Sequence, residues 1–385
     1  MNMRYSEPVQ ELFQNMAFFR KLQPLPATAM APGRRIMLAK TTQLGDLVIS
    51  LPMAAALKQH DPHCTVILLT NRRTADIARH CPDVDQVYAA PEDGAELTAL
   101  LAAVRPDIFI QVNPCRRLAQ SAYDAALPIR IGSLFRLYNW QRCTHLVPIS
   151  SPNSGLNKRL LDLQYLRPLG IVINDATQIP ALYHLAPPAA AAMPAGASTP
   201  AGALHPAQFA QGRRTVILSP ALVTARSHQW PLEFYTELIE RIDPREVHWF
   251  ICGTAEDRAS LQPLLQRHAH AANVTDLVGR LSLTEFMAFI SQCDGLVAGS
   301  TGPLHLAAAL GIHTLGLFQS RRSDVQRWRP LGPMASVIHS HVRCRGERRL
   351  AHGASVIPCP CMAAIPPSTV AEHVRSWFAM RGQPN

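Results

Sequence analysis

Short apolar runs alternate with longer amphipathic stretches along most of the chain, and the two periods predict strands and helices in turn. In the first half, 35–40 (RIMLAK), 64–70 (CTVILLT), 84–89, 107–112 (DIFIQV) and 130–133 read as strands. Helices are predicted between most of them, at 46–59, 74–80, 95–104 and 117–125, with a further one at 156–169. In the second half, strands at 215–219, 247–252, 274–278, 295–299 and 314–318 are separated by helices at 232–242, 256–268, 283–292 and 303–310. Buried strands alternating with helices imply parallel sheets covered on both faces. The expected fold class is therefore α/β, with two doubly wound domains. Ligands in such sheets bind beyond the carboxyl ends of the strands, and a cleft between the domains is the expected site.

The pattern fails in two places. Residues 186–206, APPAAAAMPAGASTPAGALHP, hold five prolines and no charged side chain, the composition of a semi-rigid linker that cannot bury a core. Residues 1–30 stand apart as well, with Val9, Leu12, Phe13, Met16 and Phe19 at helical spacing before Pro24 and Pro26. The expected organisation is an amphipathic extension (1–30), a first domain (31–185), an Ala/Pro-rich linker (186–212), and a second domain ending in a helix (213–385). An amphipathic helix of this kind docks on its own protein or on a membrane surface.

Composition narrows the classes. The 385 residues are 48% hydrophobic and 17% charged, which excludes wholesale disorder. The formal charge of +10, with 16 histidines in reserve, favours an acidic partner: nucleic acid, an anionic membrane or a phosphorylated small molecule. Aromatic residues are only 6% and no strand alternates aromatic with basic residues, so nucleic acid is not expected as a partner. Nine cysteines in no regular framework fit reduced thiols and a cytoplasmic location. Glu7, Glu11, Arg20 and Lys21 interrupt the N-terminus and argue against a cleavable signal. The stretch 295–318 lacks Asp, Glu, Lys and Arg but carries five glycines, Pro303, His305 and His313, so it reads as alternating strand and helix, not a membrane span.

Three segments carry candidate chemistry. In the first, Lys40 through Gly45, Asp46 and Pro52, a strand, a short loop and a helix start place a carboxylate at the strand's carboxyl end. Such a carboxylate can act as a general base on a sugar hydroxyl; an Asp at a helix start is equally an ordinary N-cap. The second is Gly299-Ser300-Thr301-Gly302-Pro303-Leu304-His305. Its backbone N–H groups and hydroxyls at a helix start suit a phosphate or diphosphate, while its alanines suit a capped core helix. The third, Thr224 to Pro231, gathers Thr224, Arg226 and His228 at a strand-end loop, groups able to neutralise a departing diphosphate. No G-x-x-x-x-G-K-[ST] occurs, and no G-x-G-x-x-G follows a strand. The cysteine spacing C-x14-C-P-C from Cys344 to Cys361 matches no common zinc site.

In order, these segments resemble glycosyltransferase family 9, the ADP-heptose:lipopolysaccharide heptosyltransferases, over residues 34 to about 378. The resemblance rests on Leu44-Gly45-Asp46 with Pro52, on the loop ending in Trp230-Pro231, and on Leu277-Val-Gly279-Arg-Leu281-Ser-Leu283. It continues through Asp294 to Gly302, Pro303 and His305, and ends with Cys361-Met-Ala-Ala-Ile365. It implies a GT-B fold and an inverting, metal-independent transfer of a heptose-like sugar from an ADP-sugar, which is a substrate and not a cofactor. The acceptor it implies is an anionic glycolipid or other saccharide, handled in the cytoplasm or at the inner membrane surface. Asp46 would be the catalytic base. Thr224, Arg226, His228, Glu256, Gly279, Leu281, Ser300, Thr301, Gly302 and His305 would bind the donor, Glu256 at the ribose and Leu281 at the adenine. Lys40, Arg72, Arg73 and Arg116 are assigned to the acceptor side, and Arg117, Lys158 and Arg159 to the same basic surface.

Two positions depart from the family pattern. His228 stands where a lysine is usual, and Ser300 where an aspartate usually precedes Thr-Gly. A fixed cation and a sugar-reading carboxylate are thus both replaced. This motivates two alternatives: a member that binds nucleotide-sugar or glycan without turnover, and a GT-B enzyme with a different donor. The arginines at 321, 322, 327, 329, 343, 345, 348 and 349 form a further basic stretch, either a solvated face or a contact with phosphates.

Overall fold

The computed structural model describes residues 21–26, 31–149, 156–188, 205–220, 229–319, 322–342 and 359–379. The amphipathic segment 9–20, most of the Ala/Pro linker, the segment bearing Thr224, Arg226 and His228, and the basic run from Arg343 lie outside them. The chain divides into two units, residues 1–184 and 185–385.

The first unit is a six-stranded parallel sheet of β1 (Arg35–Lys40), β2 (Thr65–Thr70), β3 (Gln86–Ala89), β4 (Ile108–Gln111), β5 (Ile129–Ser133) and β6 (His145–Val147), in the order β3-β2-β1-β4-β5-β6. Its helices of six residues or more are α1 (Leu44–Ser50), α2 (Pro52–His60), α3 (Gly94–Val104), α4 (Arg116–Asp124), α5 (Leu137–Arg142) and α6 (Lys158–Leu163). In the central strand β1, all but the first residue are buried, as expected of a strand covered on both faces.

The second unit repeats the plan with β7 (Arg214–Ser219), β8 (Val247–Ile251), β9 (Val274–Asp276), β10 (Gly295–Gly299), β11 (His313–Phe318) and β12 (Ala335–His339), all parallel, in the order β12-β11-β10-β7-β8-β9. Helices α7 (Leu232–Arg241), α8 (Arg258–Arg267), α9 (Leu283–Ile290), α10 (Gly302–Ala309), α11 (Arg322–Trp328) and α12 (Pro367–Ala379) accompany them. Gly295 allows the closest packing in this unit: a Cβ there would lie 2.5 Å from the ring of Trp377, so α12 seats its tryptophan directly on β10. Trp230 is buried in the same core and donates its indole N–H to the Ile365 carbonyl at 3.0 Å.

Several elements differ from the sequence expectation. The helix expected over 46–59 is two, because Pro52 has no N–H to continue the α1 ladder and its ring crowds the carbonyl four residues back. The helix expected over 156–169 tightens after Leu163 into a 3-10 turn, Gln164–Leu169, which contains Pro168 and ends at Gly170 with φ +81°. Among the elements labelled above, four were not expected: β6, β12, α5 and α11. The two strands are edge strands, and β12 is only partly buried, so neither carries the apolar run that marks a central strand.

One buried histidine ties the stability of the second unit to pH. His248 on β8 packs against Phe209 and Phe250 and bonds Thr275 Oγ1 through Nε2 at 2.8 Å. Burial lowers its pKa to about 4, with Arg213 pushing the same way. The unfolded chain therefore takes up a proton that the folded one refuses. The melting temperature of the native protein should fall progressively as pH drops from about 6.5 toward 4, and less in a His248→Gln variant. Equal falls in the two proteins would refute the assignment to His248.

Candidate functional site

The polar residues of the first unit gather at the carboxyl edge of its sheet. Asp46 lies in the first turn of α1. Gln43, not Asp46, is the N-cap, and it makes no side-chain capping bond, so the ordinary capping role considered from sequence is not the one Asp46 performs. Its carboxylate is partly exposed and 3.8 Å from the ammonium of Lys40, the last residue of β1.

Lys40 is only 1% exposed. Its ammonium is 3.2 Å from Asp162 on α6, itself 1% exposed. Asp162 also accepts a hydrogen bond from Ser50 Oγ at 2.8 Å and pairs with Lys158. Ser50 reaches back to the Asp46 carbonyl at 3.0 Å. Two lysines and two aspartates therefore meet in one cluster, of which Asp46 is the most exposed member. Burial pushes the Asp162 pKa up, but Lys158, Lys40 and the bonds from Lys158 and Ser50 more than reverse this, leaving it below the usual carboxylate range. Burial lowers the pKa of Lys158 despite the opposing pull of Asp162 and Asp46.

This geometry corrects part of the sequence reading. Lys40 is not an open cation awaiting an acceptor, because it is enclosed and engaged by carboxylates on two helices. Lys158 and Arg159 do not belong to the basic surface either. Lys158 is committed to Asp162, and Arg159 is buried, donating from Nε to Tyr183 Oη at 2.5 Å. Arg72 and Arg73 beyond β2, and Arg116 beyond β4, are exposed at the same edge as Asp46. Two asparagines missed from sequence fasten that edge. Asn71 Nδ2 donates to the Thr42 carbonyl at 2.5 Å, and Asn113 Oδ1 accepts from the Thr41 N–H at 2.8 Å. The loop leading to Asp46 is thus pinned from the strands on either side of β1. Neither asparagine sits in a recognisable motif, and no sequence signal marks them.

In the second unit, the candidate donor residues follow the carboxyl ends of adjacent strands. Glu256 is exposed in the 3-10 turn Ala255–Asp257 after β8, a turn closed by a capping box between Thr254 and Asp257. Gly279 and Leu281 follow β9. Gly279 has φ +71°, and a Cβ there would meet the Ala255 backbone at 2.9 Å; only glycine lets this loop close on the turn that carries Glu256. Ser300, Thr301 and Gly302 follow β10. Thr301 is the N-cap of α10 but does not cap it with its side chain; its hydroxyl instead meets the Gly299 carbonyl at 3.4 Å. Thr301 thus leaves the first-turn N–H groups of α10 without a capping bond from its own side chain, an arrangement that suits an anion. His305 is buried within that first turn and a half. Thr224, Arg226 and His228 follow β7, the strand between β10 and β8, in the sequence and lie outside the described residues.

Two doubly wound parallel sheets, each with its polar residues at the carboxyl edge, define a GT-B fold. A model of glycosyltransferase family 9 (heptosyltransferase) matches residues 188–353. Lipopolysaccharide heptosyltransferase 3 of Escherichia coli K12 is 22% identical over 306 residues, covering 74% of this chain and 82% of the relative. Among solved structures, a family 9 glycosyl transferase of Veillonella parvula superposes with a TM-score of 0.71 at 14% identity, covering 91% of this chain and 98% of that one. An E. coli heptosyltransferase solved with ADP gives 0.66 at 15% identity, covering 89% and 99%. The resemblance to glycosyltransferase family 9 drawn from the motifs is borne out, and the protein is a glycosyltransferase.

Proposed function

We propose that the protein transfers a heptose-like sugar from an ADP-linked donor to an anionic, lipid-linked saccharide, with inversion and without a metal, at the cytoplasmic face of the inner membrane. The observation that carries this reading is the partly exposed Asp46 carboxylate, seated beside Lys40 of the Lys40–Asp162–Lys158 cluster at the edge where Arg72, Arg73 and Arg116 stand. In the reaction, an acceptor hydroxyl oxygen forms a bond to the anomeric carbon as that carbon's bond to the diphosphate oxygen breaks. ADP leaves with the bonding electrons, and Asp46 takes the hydroxyl proton. A single displacement from the opposite face inverts the anomeric centre. The uncapped start of α10, with Thr301 and Gly302, holds the diphosphate, and Arg226 and His228 balance its growing charge. Glu256 and Leu281 contact the ribose and adenine.

Titration calorimetry of the purified protein with ADP, ADP-heptose, and UDP- and GDP-linked sugars, in EDTA, tests the donor. Saturable, adenine-selective binding is expected. Selectivity for another nucleotide would keep the transferase and discard the donor, with His228 and Ser300 as the residues responsible. Binding of ADP-heptose with no product from any acceptor would favour the member without turnover.

A further inference from the structure

Nine large hydrophobic residues are exposed among the described ones, and five of them (Leu22, Tyr123, Phe135, Leu137 and Trp140) belong to one region of the first unit. Leu137 is 74% exposed, Phe135 58% and Trp140 42%. Leu137 and Trp140 are three apart on α5 and share a flank, and Phe135 stands two residues ahead. Hydrogen bonds join the rest. Lys21 Nζ donates to the Trp140 carbonyl at 2.5 Å and to that of Cys143 at 3.0 Å, which brings Leu22 beside α5. Arg142 Nε donates to Gln120 on α4 at 2.5 Å, one turn before Tyr123, and Arg130 lies over the Tyr123 ring. Trp140 already spends its indole N–H on the Leu134 carbonyl at 2.7 Å, so what it presents outward is hydrocarbon.

Charge selects the occupant. Residues 113–149 contain five arginines (116, 117, 130, 136 and 142) and one carboxylate, Asp124. Arg116 and Arg136 are exposed, and no ion pair engages Arg116, Arg130, Arg136 or Arg142 among the described residues. Exposed aromatic and aliphatic side chains beside the exposed Arg116 and Arg136 fit the interface of a bilayer, where rings lie at headgroup depth and cations meet lipid phosphates. Phe135, Arg136 and Leu137 follow the carboxyl end of β5, on the edge that also carries Asp46, Arg72, Arg73 and Arg116.

We infer that the face formed by Phe135, Arg136, Leu137 and Trp140 docks on an anionic lipid bilayer. Building on the lipid-linked acceptor proposed above, this places the membrane beside the edge that bears the base, so that an anchored saccharide meets Asp46 without leaving the bilayer.

The test is co-sedimentation of the full chain with vesicles of phosphatidylcholine alone and of phosphatidylcholine with phosphatidylglycerol. Binding is expected to the anionic vesicles only, with Trp140 emission quenched by bromine-labelled acyl chains and no such quenching in Trp140→Phe. A Phe135→Ser/Leu137→Ser variant should partition at least about tenfold more weakly, with ADP affinity and transfer to a deacylated, water-soluble acceptor unchanged. Wild-type partitioning by that variant would overturn the inference and shift binding to residues 1–20. Dimerisation in solution abolished by the same two substitutions would overturn it in favour of a second copy of the chain. Vesicle binding that depends on this face, in a protein inactive on every glycolipid, would uphold the docking surface and sink the proposed reaction instead.

Discussion

The Asp46→Asn protein should lose at least about a hundredfold in kcat, the contribution usual for a positioned general base, while binding ADP as wild type does. The substitution keeps the size of the side chain, and its amide oxygen can still face Lys40; what it removes is the ability to accept a proton. The ADP-binding candidates belong to the other unit, after β8, β9 and β10, and none of the contacts proposed for ADP involves Asp46. Single-turnover release of ADP, read beside calorimetric titration, separates the two effects. Full activity in the variant would remove Asp46 from the reaction, and joint loss of activity and ADP affinity would give it a structural role.

A second large effect is expected at Asp162. Replacing it with leucine leaves the ammoniums of Lys40 and Lys158 in a buried place with only Asp46 to answer them. Removing one partner from such a cluster costs about 3–5 kcal/mol, and denaturant unfolding should show the loss in the first unit. A triple variant, Asp162→Leu with Lys40→Met and Lys158→Met, should recover most of the stability, because apolar residues of similar volume pack where ions had to be desolvated. It should not recover transfer, since Asp46 would then lack its nearest cation. Restored activity in the triple variant would show that the buried charges contribute nothing to catalysis. A single Asp162→Leu substitution without cost would show that the cluster is held together by less than its distances imply.

Much of this was legible in the chain because it is local. Runs such as RIMLAK and TVILLT state their burial residue by residue, and β1 has the bounds the apolar run predicts. Gly45-Asp46 and Ser300-Thr301-Gly302 announce strand-end loops by the residues they use. Asp162 was invisible for the opposite reason: it lies 122 positions from Lys40, inside a helix whose own pattern says only that its Lys158 can pair at i+4. Read locally, Lys158 and Arg159 were surface charge; in the fold, the one is bound to Asp162 and the other to Tyr183. Asn71 and Asn113 likewise acquire a meaning only when β2 and β4 flank β1. The aromatic face on α5 escaped because that six-residue helix follows a strand close to the sheet's edge, with no long periodic run to reveal it.

The two asparagine pins also bear on how this enzyme type can change its acceptor. They rivet the base-bearing loop to its neighbours through backbone groups, while Arg72 and Arg73 follow one rivet directly and Arg116 lies three residues past the other. Side chains at those three positions can be exchanged without loosening the fastening. Under the proposed assignment of these three arginines to the acceptor, a library confined to 72, 73 and 116 would explore new acceptors while the loop carrying Asp46 stays put. If those roles hold, laboratory selection has the same freedom there: recognition can drift while the fastening of the Asp46 loop is kept.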